Sequence, residues 1–231
     1  MTSAQEHASA CVGSAPPLRF LCVDIAIQLF LSHNPLPEEN VNATVVFETL
    51  SGELHVQQQG ESIVMDFPLN KPTPLDLNEF KDIVNAAVGD QPVQEVCLCG
   101  TTKKLMVRLA DTCDRSVLTS LQPDPAVLLH VNTGGRVRGL IVTMIGAPGC
   151  QPGYDFYSRN FSPWFGIPED PVTGSAHTVL AGYWSEKLGK KKMLAYQCSS
   201  RGGELELELR DDGRLNIAGQ AVTVLQGILT V

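Results

Sequence analysis

Residues 169–189 read EDPVTGSAHTVLAGYWSEKLG, and the reading of that stretch decides the fold. Ala176, Val179, Leu180, Ala181, Gly182, Tyr183, Trp184 and Leu188 leave almost no polar stripe before Gly189, which ends the helix. A helix that is apolar all round is a buried helix. Because the segments on either side read as strands, the simplest way to bury it is to wrap a strongly curved sheet around it, with its first turn at the rim of that wrapping.

That first turn carries the chemistry. Pro171 biases Asp170 towards an extended backbone, and Thr173-Gly174-Ser175 supplies a cap residue and small residues whose N–H groups have no partner inside the helix. The helix therefore begins at about Gly174. Such a terminus offers oriented donors and a partial positive charge. A carboxylate or a developing enolate can sit against it, with Asp170 and Ser175 placed to exchange protons, which is the chemistry of a small acidic substrate. A structural account fits the same residues, with Thr173 as N-cap, Gly174 as a close-packing residue and Asp170 as a helix-entry acid favoured by the dipole. Ser175 lacks the Gly-x-Ser-x-Gly elbow of a hydrolase nucleophile. His177, two positions beyond Ser175, points to another side of the helix and reads as structural before catalytic. Arg159 either binds an acidic substrate or pairs with Asp155, and the pairing is the favoured reading.

Outward from the helix, strands are expected at 93–99, 104–110, 136–145, 154–161, 193–199 and 204–210, followed by 215–218 and 221–231. The alternation of Glu204, Glu206 and Glu208 with leucines gives that strand one wet face. Helices are expected at 77–88, closed by Gly89, and at 115–121 and 125–129. Further upstream, 25–32 reads as a helix and 43–50, 53–58 and 62–67 read as strands, with Pro72 and Pro74 marking a linker. The first 20 or so residues are small and polar and read as a disordered tail. Three parts follow: a leader at 1–23, a first domain at 24–73 and a second at 74–231.

At 231 residues and 43% hydrophobic content the chain has enough material for one large or two small cores. A formal charge of -8 and the lack of any basic run argue against a nucleic-acid partner, and no apolar stretch reaches membrane-spanning length. Asp24 and Gln28 interrupt the nearest candidate for a secretory core. Seven cysteines, an odd number without paired two-residue spacing, indicate neither a disulfide framework nor a zinc site, and reduced thiols in the cytoplasm fit best. The spacing of residues 182–190 is wrong for a phosphate-binding loop, so no cofactor is expected.

Asp170-Pro171-Val172-Thr173-Gly174-Ser175-Ala176-His177 resembles the motif of the PhzF-like (phenazine-biosynthesis-like) isomerases, as do Asp155-Phe156-Tyr157-Ser158-Arg159 and the run from Cys198 to Glu204 containing Arg201-Gly202-Gly203. The similarity extends over roughly residues 44–231. It implies an α+β, diaminopimelate-epimerase-like fold of two half-barrel sheets, each wrapped round a central helix, with a substrate cleft between the two domains. It also implies cofactor-free, metal-free proton transfer on a small carboxylate-bearing substrate. Asp170 and Ser175 are then the catalytic residues, and Gly174, Thr173, His177 and Arg159 the substrate-binding ones. The family's catalytic Glu, in an Asn-x-Ser/Thr-Glu context, has no counterpart in this sequence, and Leu21-Cys22-Val23-Asp24-Ile25-Ala26 stands where members carry Gly-His-Ala-Thr. An incomplete first domain and weakened activity are therefore expected. The alternative is a non-catalytic module that binds a small acid or a protein partner, with uncovered apolar surface favouring a homodimer.

Overall fold

A computed structural model describes residues 7–8, 44–49, 52–147, 149 and 153–220; the helix expected at 25–32 and the strand expected at 221–231 lie outside them. The chain divides into two units, residues 1–67 with 216–231 and residues 68–215. In the smaller unit, β2 (Val45–Thr49), β3 (Gly52–Gln59) and β4 (Ser62–Pro68) form an antiparallel meander with Val45 opposite Val56 and Val56 opposite Met65, and β1 (His7–Ala8) runs parallel to β2. Val45, Val56 and Met65 are all buried, so one row of cross-strand pairs carries the apolar side of this meander.

The larger unit holds β5 (Thr73–Leu75), α1 (Lys81–Val88), β6 (Val93–Cys99), β7 (Lys104–Leu109), α2 (Arg115–Ser120), α3 (Pro125–His130), β8 (Gly139–Ile145) and β9 (Phe156–Ser162). After a 3₁₀ turn at Pro163–Phe165 come β10 (Ile167–Asp170), α4 (Gly174–Leu188), β11 (Lys192–Gln197), β12 (Gly203–Leu209) and the start of β13 (Arg214–Gln220). Seven of these strands form one mixed sheet in the order β12-β11-β9-β8-β7-β6-β5, parallel at β7/β8 and β9/β11 and antiparallel elsewhere.

Both faces of this sheet are covered, which is why β7, β8 and β9 carry few exposed side chains. On one face Val96, Leu105, Val107, Leu140 and Val142 pack beneath Ile83 and Val84 of α1, Leu118 of α2 and Leu128 of α3. On the other face lies α4, and neighbouring strands reach it in turn. Tyr183 Oη donates to Glu95 of β6 at 2.6 Å, and Arg108 of β7 sits 4.8 Å over the Trp184 ring. Trp184 Nε1 donates to Thr143 Oγ1 of β8 at 3.0 Å, and Phe156 of β9 stacks on Trp184 with ring centroids 5.7 Å apart. A sheet that meets one helix from four adjacent strands is curled around it. The molecule is thus a sheet-dominated α+β protein, and every residue from Ala176 to Trp184 is buried, as the apolar helix predicts.

Two expectations are corrected and one strand is added. Residues 72–74, read as linker, include β5, whose Thr73 pairs with Leu98; a proline is tolerated there because β5 is an edge strand. Strand β10 is not announced by the sequence pattern, since Pro168 interrupts it. Helix α1 starts at Lys81 rather than 77, because Phe80 enters the left-handed region at φ 60° and breaks the first turn. Among the described residues, Cys97, Cys99, Cys113 and Cys198 are free thiols, and no helix is long and apolar enough to cross a membrane.

Residues 68–71 strap the outer side of α4. Asn70 N donates to Thr178 O at 3.2 Å and Asn70 Nδ2 to Thr178 Oγ1 at 3.0 Å, while Lys71 pairs with Glu186 at 2.6 Å. The close approach requires Gly182, since a Cβ there would lie 2.9 Å from Asn70 O and 3.4 Å from Lys71 Cα. Alanine is worth about 1 kcal/mol more than glycine in a helix interior, but overpacking costs about 1–3 kcal/mol. Gly182→Ala is accordingly expected to lower stability in urea unfolding by up to about 2 kcal/mol net; a raised midpoint would show that the strap yields.

Candidate active site

Strands β10 and β11 share one edge of β9. β11 runs parallel to β9 and ends with Gln197 beside Ser158, whereas β10 runs antiparallel to it and ends with Asp170 opposite Asn160. Their carboxy-terminal ends therefore meet head-on, and the side chain of Gln197, with no exposed surface, fills the junction. Its Nε2 donates to the Asp170 carbonyl at 2.6 Å and to Thr173 Oγ1 at 3.1 Å, and its Oε1 accepts from Thr173 N at 2.9 Å. One amide thus fixes both ends of the loop from which α4 starts. A second support comes from the β11–β12 loop, where Ser199 Oγ donates to Pro171 O at 2.7 Å and accepts from Gly202 N at 3.0 Å. Gly203 lies against Val172 so closely that a Cβ would meet Val172 Cγ2 at 2.4 Å.

Asp170 is 4% exposed, and its Oδ2 accepts a 2.5 Å hydrogen bond from Thr173 Oγ1. Burial pushes its carboxyl above the ordinary carboxylate range; the Thr173 hydroxyl, Lys104 and Arg201 pull it back in part, and Glu169 adds to the rise. Thr173 has the extended backbone of an N-cap, φ -125° and ψ 103°, yet it makes no side-chain bond to the helix. This corrects the expected cap. Its one O–H is given to the buried carboxyl, and its oxygen already accepts from Gln197, so the carboxyl outcompetes the helix N–H groups. The first intrahelical bond runs from His177 N to Thr173 O at 3.2 Å, which leaves the N–H groups of Gly174, Ser175 and Ala176 without intrahelical partners. Gly174 is buried, Ser175 half-buried. Uncapped donors, a helix dipole and a carboxyl with a raised proton affinity are thus brought within six residues of chain.

His177 and Arg159 are placed differently. His177 has no exposed surface, its Nδ1 lies 2.7 Å from Thr173 O, and Phe156 stacks on its ring at 6.1 Å. A nitrogen facing a carbonyl must carry the proton, so Nε2 is the bare nitrogen, and it is buried without a partner. Burial first, and Lys104 next, lower its pKa from 6.5 to about 4, against the Thr173 bond; it is neutral at pH 7. Arg159 alternates to the other face of β9 and does not meet Asp170. Its partner is Glu169, bidentate at 2.7 and 2.8 Å, rather than the expected Asp155, and Nη1 caps the end of α2 at Leu118 O, Thr119 O and Leu121 O. Asp155 instead takes Lys190 and the backbone N of Leu194.

Three residues at the site escape the sequence motif: Gln197, Lys104 and Asn160. Lys104 is 7% exposed, and its Nζ donates to Asn160 Oδ1 at 3.2 Å. A signal for it exists, since Lys104 and Arg108 fall on one side of a strand otherwise apolar throughout, but nothing in the sequence marks Gln197. Among the described residues no group of three or more His, Cys, Asp or Glu could hold a metal ion. At the far end of α4, Gly189 adopts φ 65° and Lys187, Lys191 and Lys192 make partly or wholly solvated ion pairs with Glu95, Asp211 and Glu208.

The family profile described as phenazine biosynthesis-like protein (PhzC-PhzF) matches residues 25–227. The chain is 53% identical over 193 residues to the rat phenazine biosynthesis-like domain-containing protein, a match covering 83% of this chain and 67% of that one. It is 39% identical over 187 residues, 80% of this chain and 64% of the other, to a protein from Halalkalibacterium halodurans named an uncharacterized isomerase. A crystal structure of a putative phenazine biosynthesis PhzC/PhzF protein from Clostridium difficile superposes with TM-score 0.72 at 32% identity, covering 91% of this chain and 72% of that one. A predicted epimerase from Pseudomonas aeruginosa, 15% identical with TM-score 0.58 over 87% of this chain and 72% of its own, shares the fold. The chain thus spans about two thirds of the length of the curated relatives.

Replacing Gln197 with Leu removes the amide but keeps the bulk, stranding the Thr173 N–H and the Asp170 carbonyl in a dry junction. Unfolding free energy is expected to fall by on the order of 3 kcal/mol, and a loss below about 1 kcal/mol would mean that other groups or water take over. His177 gives a second test. Its folded pKa lies below the unfolded value, so the unfolded state binds the proton first, and stability drops as pH falls from 6.5 to about 4. The drop attributable to this residue is roughly 3 kcal/mol. In urea titrations across that window, His177→Asn should flatten the acid limb; parallel limbs would contradict the assignment.

Proposed function

This chain belongs to the phenazine biosynthesis-like (PhzC-PhzF) family, and from that premise we propose that it is an isomerase working by cofactor-free acid/base proton transfer on a small carboxylate-bearing substrate. The observation that carries the proposal is the buried, proton-avid carboxyl of Asp170 set beside a helix start whose donors are left uncapped. Bacterial relatives named isomerases support the reaction class.

In this reading the substrate's carboxylate lies against the N–H groups of Gly174 and Ser175, where the dipole favours negative charge, and the Ser175 hydroxyl hydrogen-bonds it. A base removes a proton from carbon, the electron pair moves through the conjugated system, and a proton returns at another carbon. Asp170 supplies or holds the proton at the substrate's polar group, and Thr173 and Gln197 keep its carboxyl in place. Arg159 and His177 serve this site from a distance, the one by fixing Glu169 next to Asp170 and the other by closing the first helical turn. Acid–base groups of this kind are worth about a hundred- to ten-thousand-fold. The second reading is a module that binds a small acid or a protein without converting it.

The test is deuterium uptake from D2O into a dihydroanthranilate-type acid, followed by NMR with the purified chain. Slow exchange above buffer that falls about a hundredfold or more in Asp170→Asn, and is reduced in Ser175→Ala, is the expected result. With Asp170 as the acid, the rate should decline as pH rises through its raised pKa. Saturable binding with no exchange would establish the second reading, and neither binding nor exchange would defeat both.

A further inference from the structure

The sheet face beneath the start of α4 contains a buried charge that the proton-transfer account leaves unused. Lys104 is the first residue of β7, and its neighbour across the β7/β8 ladder is Gly139. Leu140 pairs with Phe161, so Gly139 stands next to Ser162 on β9. Having no side chain, Gly139 lets the lysine lie flat across it: a Cβ there would be 3.2 Å from both Cγ and Nζ of Lys104 and 3.7 Å from Ser162 Oγ. The ammonium thereby crosses a whole strand and reaches Asn160 Oδ1, while Asn160 Nδ2 donates to Ser162 Oγ at 3.2 Å. Asn160 is the residue directly opposite Asp170 in the β9/β10 register, so both side chains leave the sheet on the same side.

We propose that Lys104 is a positioning residue for Asp170: a buried ammonium, carried across Gly139 and anchored by Asn160, that sets how the Asp170 carboxyl holds its proton. Burial pushes the Asp170 carboxyl up, and beside the Thr173 hydroxyl and Arg201 the Lys104 ammonium, held by the residue opposite Asp170, pulls it back. The other charged groups around Asp170 do not replace it. Glu169, on the same strand, is turned to the far face and neutralised by Arg159, Arg201 comes from the β11–β12 loop with its residue exposed, and His177 of α4 is neutral at pH 7. Lys104 lowers the proton affinity of both Asp170 and His177. The value of this arrangement for catalysis rests on the isomerase reading, but the electrostatic relation does not.

The experiment is a carboxyl-carbon NMR titration of the full chain labelled at aspartate, with the Asp170 resonance identified by its loss in Asp170→Asn. Lys104→Gln keeps a donor for Asn160 while removing the charge, and it should raise the Asp170 midpoint by at least about one pH unit, a tenfold change in proton affinity. Gly139→Ala, which displaces the ammonium without deleting it, should move the midpoint in the same direction by less. A Lys104→Gln protein whose Asp170 titrates as in the parent overturns the proposal. Should that variant fail to fold, an unmoved midpoint in folded Gly139→Ala whose lysine has lost its bond to Asn160 overturns it instead. No substrate is present, so absence of isomerase activity leaves the result unaffected, and an unmoved midpoint leaves the isomerase assay to stand by itself.

Discussion

Helix α4 is buried along its whole span from Ala176 to Trp184, and the other elements of the larger unit answer to that constraint. An enclosed helix must have every polar side-chain tip met inside the protein, because water cannot do it. Trp184 finds Thr143, whose own hydroxyl donates to Tyr157 O, and Tyr183 finds Glu95 and Arg108. Thr178 donates to Ser175 O and accepts from Asn70. Apart from Ser175, each of these partners stands on a different strand or on the strap, so satisfying the helix also fixes the curl of the sheet. Charged residues such as Arg108 and Glu95 appear in buried strands for this reason.

The same requirement explains why the helix start is chemically unusual. Asp170 and Thr173 leave solvent together, and a buried carboxyl is a stronger claimant on a hydroxyl than a peptide N–H is. Once Thr173 donates to Asp170 and accepts from Gln197, nothing local remains to cap the helix. The uncapped donors are a by-product of burying an acid next to them, and the two features on which the proposed proton transfer rests arise from one packing decision. The unpartnered Nε2 of His177 belongs to the same trade, since its Nδ1 proton is committed to the Thr173 carbonyl.

Much of this was legible in the sequence where the information is local. The span of α4 follows from its apolar residues and Gly189, and the grouping of Asp170, Thr173, Gly174 and Ser175 follows from one short motif. What escaped depends on partners distant in the chain. Gln197 meets Thr173 across 24 residues with no mark at either position, and Lys104 meets Asn160 across 56, where the only mark is a charge in an otherwise apolar strand. Arg159 offered two acids within reach, Asp155 four residues back and Glu169 ten ahead; the alternation of β9 and the return of β10 select the second. Proline misled twice, hiding β5 and β10, because both strands occupy places where a missing N–H costs no ladder bond.

The two ends of α4 differ in how they are held. At the carboxy-terminal end Gly189 closes the helix in the open, and the surrounding lysines and acids meet in solvated pairs that many other side chains could replace. At the amino-terminal end Gly203 touches Val172, Gly139 underlies Lys104 and Gln197 spans two strand ends, so each position is tied to particular neighbours. Sequence drift along this helix is therefore polarised: a lineage can rewrite one end in single steps, whereas the other can change only by several simultaneous substitutions.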